Sequence, residues 1–184
     1  INFSISNQFY LICKKQGLDF FKIRNIMKDN YKRNADIPLA GFTAGPCLLK
    51  DTMQLSAFYN HQFPLFQTAM SINEGMPQYI VKKLNDEYNL KKKTVGVLGL
   101  SFKAENDDIR DSLSIKLLKN LKSKKIKTLQ SDEYYKDEKN VDKNELIKKS
   151  DIIIIATPHK AYKNIKISKN KILVDIWGLT QKYL

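Results

Sequence analysis

The chain has 184 residues, 42% of them hydrophobic, which is enough for two small domains that each have a hydrophobic core. Its formal net charge of +13 comes almost entirely from scattered lysines, which indicates a solvated surface or attraction of an anionic ligand rather than a nucleic-acid interface. No apolar run approaches the ~20 residues of a membrane span, and neither a signal peptide nor a disulfide framework is present, so we expect a cytoplasmic protein.

Residues 1–92 have the spacing of apolar side chains that is typical of helices. Gly17 marks the end of the first helix, and a group of prolines and glycines marks a loop. Gly75 and Pro77 are expected to kink or divide the last helix. The predicted elements are helices over 3–12 and 19–27, a loop over 30–46, a helix from Cys47 onward and a helix over 66–88. We therefore expect an all-helical domain over residues 1–92.

Residues 93–184 instead alternate predicted strands with predicted helices. The run TVGVLGLSF is continuous and apolar, as in a buried parallel strand, and Asp111 and Ser112 stand where a helix cap is needed. The later predicted elements are a strand over 126–129, a helix over 144–149, and strands in DIIIIATP and KILVDIW. This alternation predicts a parallel sheet with crossover connections, so the fold class is α/β overall, with an all-α domain followed by a Rossmann-like α/β domain.

The turn after the first strand, GLSFKAENDDIRDS, is where such a domain binds phosphate, because free backbone N–H groups and the helix dipole point at the anion. It is not G-x-G-x-x-G, so a standard dinucleotide site is not predicted. Lys103 and Arg110 can bring positive charge to a phosphate, and Phe102 can stack on a base. In the alternative interpretation, Arg110 pairs with Asp107 or Asp108 and braces the loop.

The segment AGFTAGPCLLKDT places a thiol at the start of a predicted helix. Gly45 and the proline after it allow the backbone to pass close to a ligand before the helix begins at Cys47, where the helix dipole stabilises a thiolate. Asp51 lies one turn later on the same face, and Lys50 is close to both. The segment predicts a nucleophile beside a carboxylate, and the alternative is a buried structural cysteine.

Both segments resemble motifs of the UDP-glucose/GDP-mannose dehydrogenase family, whose members are nucleotide-sugar 6-dehydrogenases. VGVLGLSFKAENDDIRDS is similar to the opening of the family's C-terminal domain, with its G-x-x-F-K and D-x-R-x-S patterns, and GPCLLKD is similar to its active-site signature G-x-C-x-x-K-D. The motifs stand in the family's order. The resemblance implies a helical central domain over 1–92, which usually mediates dimerisation, and a UDP- or GDP-sugar-binding domain over 93–184.

The implied reaction is oxidation of the C6 hydroxymethyl of a nucleotide sugar to a carboxylate with two NAD⁺, a step that fits surface-polysaccharide biosynthesis. Cys47 would attack the C6 aldehyde to give a thiohemiacetal and then a thioester that water hydrolyses. Asp51 would act as a base or orient the water, and Lys50 would neutralise nearby charge.

The resemblance also implies substrate-binding residues. Phe102 and Lys103 would contact the nucleotide sugar, and Arg110 would lie in the loop around it. Arg33 loosely matches an arginine that in relatives reaches the sugar nucleotide of the partner subunit. Many members carry D-G-R at the end of a later strand, where this chain has Asp175, Ile176 and Trp177, so that arginine contact is not carried over.

Relatives place the G-x-G-x-x-G fold and further active-site residues upstream of the first residue of this chain. We therefore expect this chain to be a fragment that is inactive alone. Its parent would bind NAD through an N-terminal domain that is missing here. Two other hypotheses remain: a nucleotide-sugar-binding and dimerisation module without catalysis, and a cysteine hydrolase that pairs Cys47 with His61 or His159. Cys13 is expected in the core, and the spacing of cysteines and histidines predicts no metal site.

Overall fold

The computed structural model describes residues 1–60, 62 and 64–180. Within these residues the helices are α1 (Asn2–Lys15), α2 (Phe20–Lys28), α3 (Pro46–Phe58), α4 (Pro64–Tyr88), α5 (Leu113–Ser123) and α6 (Lys143–Lys149). The strands are β1 (Thr94–Leu98), β2 (Lys127–Ser131), β3 (Ile152–Ile155) and β4 (Ile172–Asp175). The predicted fold class, helices followed by an α/β unit with a parallel sheet, is confirmed. None of the described helices is long and apolar enough to cross a membrane.

The four strands form one parallel sheet in the order β2-β1-β3-β4. The chain order reverses between β1 and β3, and the carboxyl ends of strands at such a switch point form a crevice where α/β proteins bind ligands. Leu98 is in register with Ser131 on one side and with Ile155 on the other. The segments that follow β1, β2 and β3 therefore leave the sheet at the same edge.

Burial on both faces explains why β1 and β3 are continuous apolar runs in the sequence. Successive side chains of a strand point to opposite faces, and accordingly Ile152 and Ile154 belong to one hydrophobic cluster while Ile153 and Ile155 belong to another. The first cluster continues into the helical region, where it includes Phe20 of α2. The proposed division into domains 1–92 and 93–184 remains a prediction, and this cluster runs across it.

Helix α4 runs without interruption through Gly75 and Pro77, so the predicted possibility of a division there is wrong. An internal proline costs about 3 kcal/mol because it removes a backbone hydrogen bond and clashes with the preceding turn. Met76, Pro77 and Ile80 are buried, and α4 packs against α1, α3 and α5. Burial of this face offsets the cost and keeps α4 continuous.

The loop before α3 is held between the helices and the sheet. Asn7 on α1 bonds both the N–H and the carbonyl of Gly41, accepting at 2.9 Å and donating at 3.1 Å, and it also donates to Asn73 on α4. The Trp177 indole lies on the other side, so close that a Cβ on Gly41 would come within 2.4 Å of the ring. Its Nε1–H donates to the Ala156 carbonyl just beyond β3 at 2.9 Å. These contacts fix the approach of the chain to the thiol.

Candidate active site

Cys47 is the second residue of α3, and its thiol is exposed. Gly45 precedes the helix with a φ of 144°, which favours glycine, and Pro46 occupies the first turn, where its missing N–H is not needed. A cavity of about 490 Å³ opens beside the thiol. Its lining residues are Ala44, Gly45, Pro46, Cys47, Leu48, Asp51, Thr52 and Phe102. The prediction of a thiol at a helix start is confirmed, and the alternative of a buried structural cysteine is wrong.

Asp51 lines the same cavity as Cys47, as its position one turn later on the helix predicts. Lys50 does not line it but reaches across to Asp51, with Nζ 3.1 Å from Oδ1. The hydrogen bond to Asp51, together with the negative charges of Asp51 and Cys47, raises the pKa of Lys50. Both members of the pair are well exposed, at 68% and 62%, so the pair contributes little to folding.

Phe102 brings the second sequence motif to the thiol. Its ring lies against Gly45, where a Cβ would come to 3.1 Å from the ring. The Lys103 ammonium stands 5.5 Å from the centre of the same ring, within the range of a cation–π contact. The thiol segment and the turn after β1 thus form adjoining walls of one site.

Arg110 is paired with Asp108, as the alternative interpretation of this loop predicts. Its Nε lies 3.0 Å from both carboxylate oxygens and its Nη2 lies 2.6 Å from one of them. This pairing raises the pKa of Arg110, and the charge of Cys47 contributes in the same direction, so the guanidinium lies within electrostatic reach of the thiol. Arg33 is exposed on the short 3-10 turn Lys32–Asn34 and does not line the cavity.

Three backbone donors at the start of the turn after β1 are already in use. The N–H groups of Leu100 and Ser101 donate to the Asp132 carboxylate, and the N–H of Phe102 donates to the Asp108 carbonyl. Asp132 directly follows β2, where dinucleotide-binding folds place the carboxylate that binds a ribose, but here it is buried beneath the loop. With these donors occupied and this carboxylate buried, the described residues do not fit NAD.

The sequence did not predict that a buried histidine, His159, lies under the turn after β1. It follows β3 in the chain. Both nitrogens of His159 are engaged: Nδ1 by the Glu105 N–H at 3.0 Å, and Nε2 by Asp132 at 3.2 Å and Ser101 at 3.3 Å. Because no nitrogen is left for Cys47, the hydrolase pairing with His159 is wrong. Asp132 orients the imidazole through Nε2, a contact that is not evident from the sequence.

His61, Cys13 and a possible metal site are the other features that the sequence analysis considered. His61, the other candidate partner of the thiol, lies outside the described residues. Cys13 is buried in the main hydrophobic cluster, as expected. Within the described part of the chain, no three histidine, cysteine or acidic residues are grouped so that they could hold a metal ion.

Two regions of the chain match one protein family. Residues 1–75 match the central domain of the UDP-glucose/GDP-mannose dehydrogenase family, and residues 96–182 match its UDP binding domain. The chain is 25% identical to the UDP-N-acetyl-D-mannosamine dehydrogenase of Pyrococcus horikoshii over 95% of its own length and 44% of the relative's. It is 33% identical to the UDP-glucose 6-dehydrogenase of Haloferax volcanii over 64% of its length and 28% of the relative's. The chain thus spans less than half the length of these relatives.

Solved structures share the fold. The UDP-D-ManNAc dehydrogenase of Pyrococcus horikoshii superimposes with a TM-score of 0.83 at 23% identity, covering 98% of this chain and 46% of that one. The UDP-glucose dehydrogenase of Pyrobaculum islandicum gives 0.80 at 24% identity over 96% and 44%. Two adjacent domain matches and a thiol that meets the turn after β1 at one cavity lead to one conclusion: the chain belongs to the UDP-glucose/GDP-mannose dehydrogenase family.

Proposed function

We propose that this chain is the thiol-bearing and nucleotide-sugar-binding part of an enzyme that oxidises C6 of a UDP-sugar to a carboxylate. The observation that carries the proposal is the single cavity lined by Cys47, Asp51 and Phe102, which come from the two motifs. The base would stack on or beside Phe102, and Lys103 and Arg110 would offer positive charge to the diphosphate. With the base and the diphosphate held in this way, the sugar would extend toward Cys47, which lines the same cavity as Phe102.

In the proposed reaction, a first two-electron oxidation of the C6 hydroxymethyl, with loss of one hydride and one proton, gives the aldehyde. The Cys47 sulfur then adds to the aldehyde carbon, and the thiol proton goes to the aldehyde oxygen, which becomes the hydroxyl of a thiohemiacetal. Loss of hydride from C6 and of the hydroxyl proton gives a thioester. Water then attacks the thioester carbon, and the carboxylate and the thiol are released. We assign Asp51, which lines the same cavity as Cys47, to orienting this water or accepting its proton. Lys50 pairs with Asp51 and neutralises its charge.

NAD⁺ would supply the hydride acceptor for this oxidation. Since the described residues do not fit a dinucleotide, we place its binding in a part of the whole protein outside this chain. It follows that the 184-residue chain mixed with NAD⁺ and UDP-glucose should give no NADH. A rate that disappears on Cys47→Ser would contradict this placement.

The helical region is proposed to pair with a second copy of the chain. Apolar side chains remain exposed on α1 and α3, although such residues usually lie in a core or an interface. They include Phe3, Ile5, Phe9 and Ile12 on α1 and Leu48, Met53, Leu55 and Phe58 on α3. Sedimentation velocity should show a dimer that Phe58→Lys weakens, and an unchanged monomer for both chains would contradict the pairing.

Isothermal titration calorimetry tests the proposed function. UDP and UDP-sugars should bind with release of heat, and Phe102→Ala should weaken binding by about tenfold if the ring stacks on a base. Comparison of UDP-glucose, N-acetylated UDP-sugars and GDP-mannose then identifies the base and sugar that are preferred. Binding without oxidation in the whole protein would favour the alternative, a nucleotide-sugar-binding module without catalysis. No binding of any nucleotide would remove both hypotheses.

A further inference from the structure

His159 and Asp132 form a buried pair at the carboxyl edge of the sheet. His159 follows β3 and is 0% exposed, and Asp132 follows β2 and is 8% exposed. The rings of Tyr134 and Tyr162 lie 5.0 and 5.4 Å from the imidazole. Above the pair lies the strand-end loop, residues 99–105, which carries Phe102 to the thiol cavity.

Asp132 holds the beginning of the strand-end loop. Its Oδ2 accepts from the N–H groups of Leu100 at 2.5 Å and Ser101 at 3.3 Å, while Oδ1 accepts from those of Tyr134 and Tyr135. Burial by itself raises the pKa of Asp132, but the hydrogen bonds from His159 and these backbone groups lower it to about 2. The carboxylate is therefore charged at neutral pH and accepts hydrogen bonds strongly.

His159 holds the end of the same loop. A backbone N–H can only donate, so Nδ1, which receives the Glu105 N–H at 3.0 Å, carries no proton. The ring proton is therefore on Nε2, where it faces the Asp132 carboxylate at 3.2 Å. Because the acid fixes the side of the ring that donates, it also fixes the side that accepts from the loop.

Glu105, which donates its N–H to His159, has a strained backbone conformation. Its φ of 55° lies in the left-handed region, which a side chain other than glycine occupies at a cost of about 1–2 kcal/mol. Besides its N–H, both carboxylate oxygens are engaged, Oε2 by the Tyr134 hydroxyl at 2.7 Å and Oε1 by the Lys160 N–H at 2.8 Å. The loop is thus held in a strained shape by residues that follow β2 and β3, the strands on either side of β1.

We propose that His159 and Asp132 are positioning residues for nucleotide binding, which anchor both ends of the strand-end loop so that Phe102 stands against Gly45 at the thiol cavity. The inference rests on the proposed function, since it assumes that Phe102 and Lys103 contact the nucleotide. Neither residue of the pair touches the ligand. Their effect reaches it through the backbone at Leu100, Ser101 and Glu105.

Two substitutions of one residue separate the loop contact from loss of the ring. In His159→Asn, the amide oxygen takes the place of Nδ1 and can still accept from Glu105. In His159→Gln, the amide nitrogen takes the place of Nε2 and can still donate to Asp132, but the Glu105 N–H loses its acceptor. Both variants remove the same buried ring, and each keeps one of its two hydrogen bonds, so their difference compares the contact to Glu105 with the contact to Asp132.

Two measurements on the 184-residue chain are compared. We expect His159→Gln to speed amide hydrogen exchange in residues 99–105 by at least tenfold and to weaken UDP binding by about tenfold, the effect of one lost hydrogen bond. His159→Asn should stay within about threefold of the unaltered chain in both measurements. Exchange in β1 and β3 should be the same in the two variants.

UDP affinities that are unchanged in both variants, or equally weakened without faster exchange in residues 99–105, would overturn the positioning role while the proposed function stands. Absence of UDP binding by the unaltered chain would instead remove the proposed function, and the positioning role with it. Should His159→Gln fail to fold, Asp132→Asn takes its place, because it weakens the acceptor of the Leu100 and Ser101 N–H groups. Unchanged loop exchange and UDP affinity in that variant would likewise overturn the role.

Discussion

The thiol segment and the strand-end loop meet where Gly45 touches Phe102, yet they are held in opposite ways. Around the thiol, Cys47 and the Lys50–Asp51 pair are exposed. Under the loop, Asp132 and His159 are buried and hydrogen-bonded on every side described above. The groups proposed to react are thus open to solvent, while the groups proposed to position the nucleotide are fixed within this chain.

The difference indicates that the two regions depend on different parts of the assembly. The strand-end loop is preorganised by its own sheet, so its shape should persist in the isolated chain. Phe102 forms one wall beside the thiol, and the side chains of Cys47, Lys50 and Asp51 face solvent. The reactivity of the thiol should therefore depend on what the parent protein and a second copy add. The following substitutions test this contrast.

The largest expected effect is that of Cys47→Ser in the whole protein. If the sulfur carries the thioester, formation of the sugar acid should fall by about 10³-fold or more, while UDP binding stays near the parent value. Product analysis by mass spectrometry measures both the acid and any aldehyde released. The matched control is Cys13→Ala, which removes the other thiol from the core and should leave acid formation near the parent rate. Undiminished acid formation by Cys47→Ser would assign the chemistry elsewhere.

Asp132→Asn should have the next largest effect, on folding. Loss of the buried charge leaves backbone donors poorly matched and should cost about 3 kcal/mol of unfolding free energy, measured by urea denaturation at pH 7. The pH dependence has a definite sign. Because the pKa falls from 3.8 when unfolded to about 2 when folded, the carboxylate stabilises the fold above about pH 4 and loses that contribution between pH 4 and 2.

That contribution amounts to about 2–3 kcal/mol, since one pKa unit corresponds to about 1.4 kcal/mol. The unaltered chain should therefore lose stability more steeply than Asp132→Asn between pH 4 and 2. Parallel curves for the two proteins would show that Asp132 is not held as described.

Gly45→Ala probes the contact between the two regions. At a φ of 144° a side chain is strained, and the new Cβ would press on the Phe102 ring, so we expect a loss of about 1–2 kcal/mol and weaker UDP binding. The matched control is Gly75→Ala in α4, where a Cβ meets nothing within 4 Å and helix propensity predicts a gain of up to about 1 kcal/mol. Thermal unfolding of both variants is the measurement, and a similar shift in both would contradict the contact.

The smallest effect is expected for Lys50→Ala, which removes an exposed ion pair and should leave the thermal midpoint unchanged. Lys116→Ala is the comparison, because Lys116 on α5 lies 2.5 Å from Glu74 on α4 and both are about one-third exposed. This change should cost about 0.5–1 kcal/mol. A larger loss for Lys50→Ala than for Lys116→Ala would show that the thiol segment is less open than described.

Sequence patterns predicted the elements well because each depends on nearby residues. Ser112 caps α5 as its position suggests, accepting from the Ser114 N–H, and Asp51 shares the cavity of Cys47 because helical spacing requires it. Continuity of α4 through Pro77 was not predictable, since it depends on packing against α1, α3 and α5 rather than on the local sequence.

The pairing of Asp132 with His159 was not predicted, because the two residues follow different strands and belong to no shared motif. A signal was nevertheless present: each follows a predicted strand, and parallel strands bring their carboxyl ends to one edge. The contact of Trp177 with Gly41 likewise joins two distant parts of the sequence, the segment after β4 and the loop before α3. Such pairs follow from the strand order β2-β1-β3-β4, which residue spacing alone does not determine.

Trp177 has a practical consequence because it is the single tryptophan of the sequence. Its indole lies between the Gly41 loop and the sheet edge, with Nε1–H bonded to Ala156. Tyrosines contribute little when excitation is at 295 nm or longer, so the emission spectrum comes from this one junction. A red shift on unfolding, or on any separation of the thiol loop from the sheet, would therefore report that event without an added label.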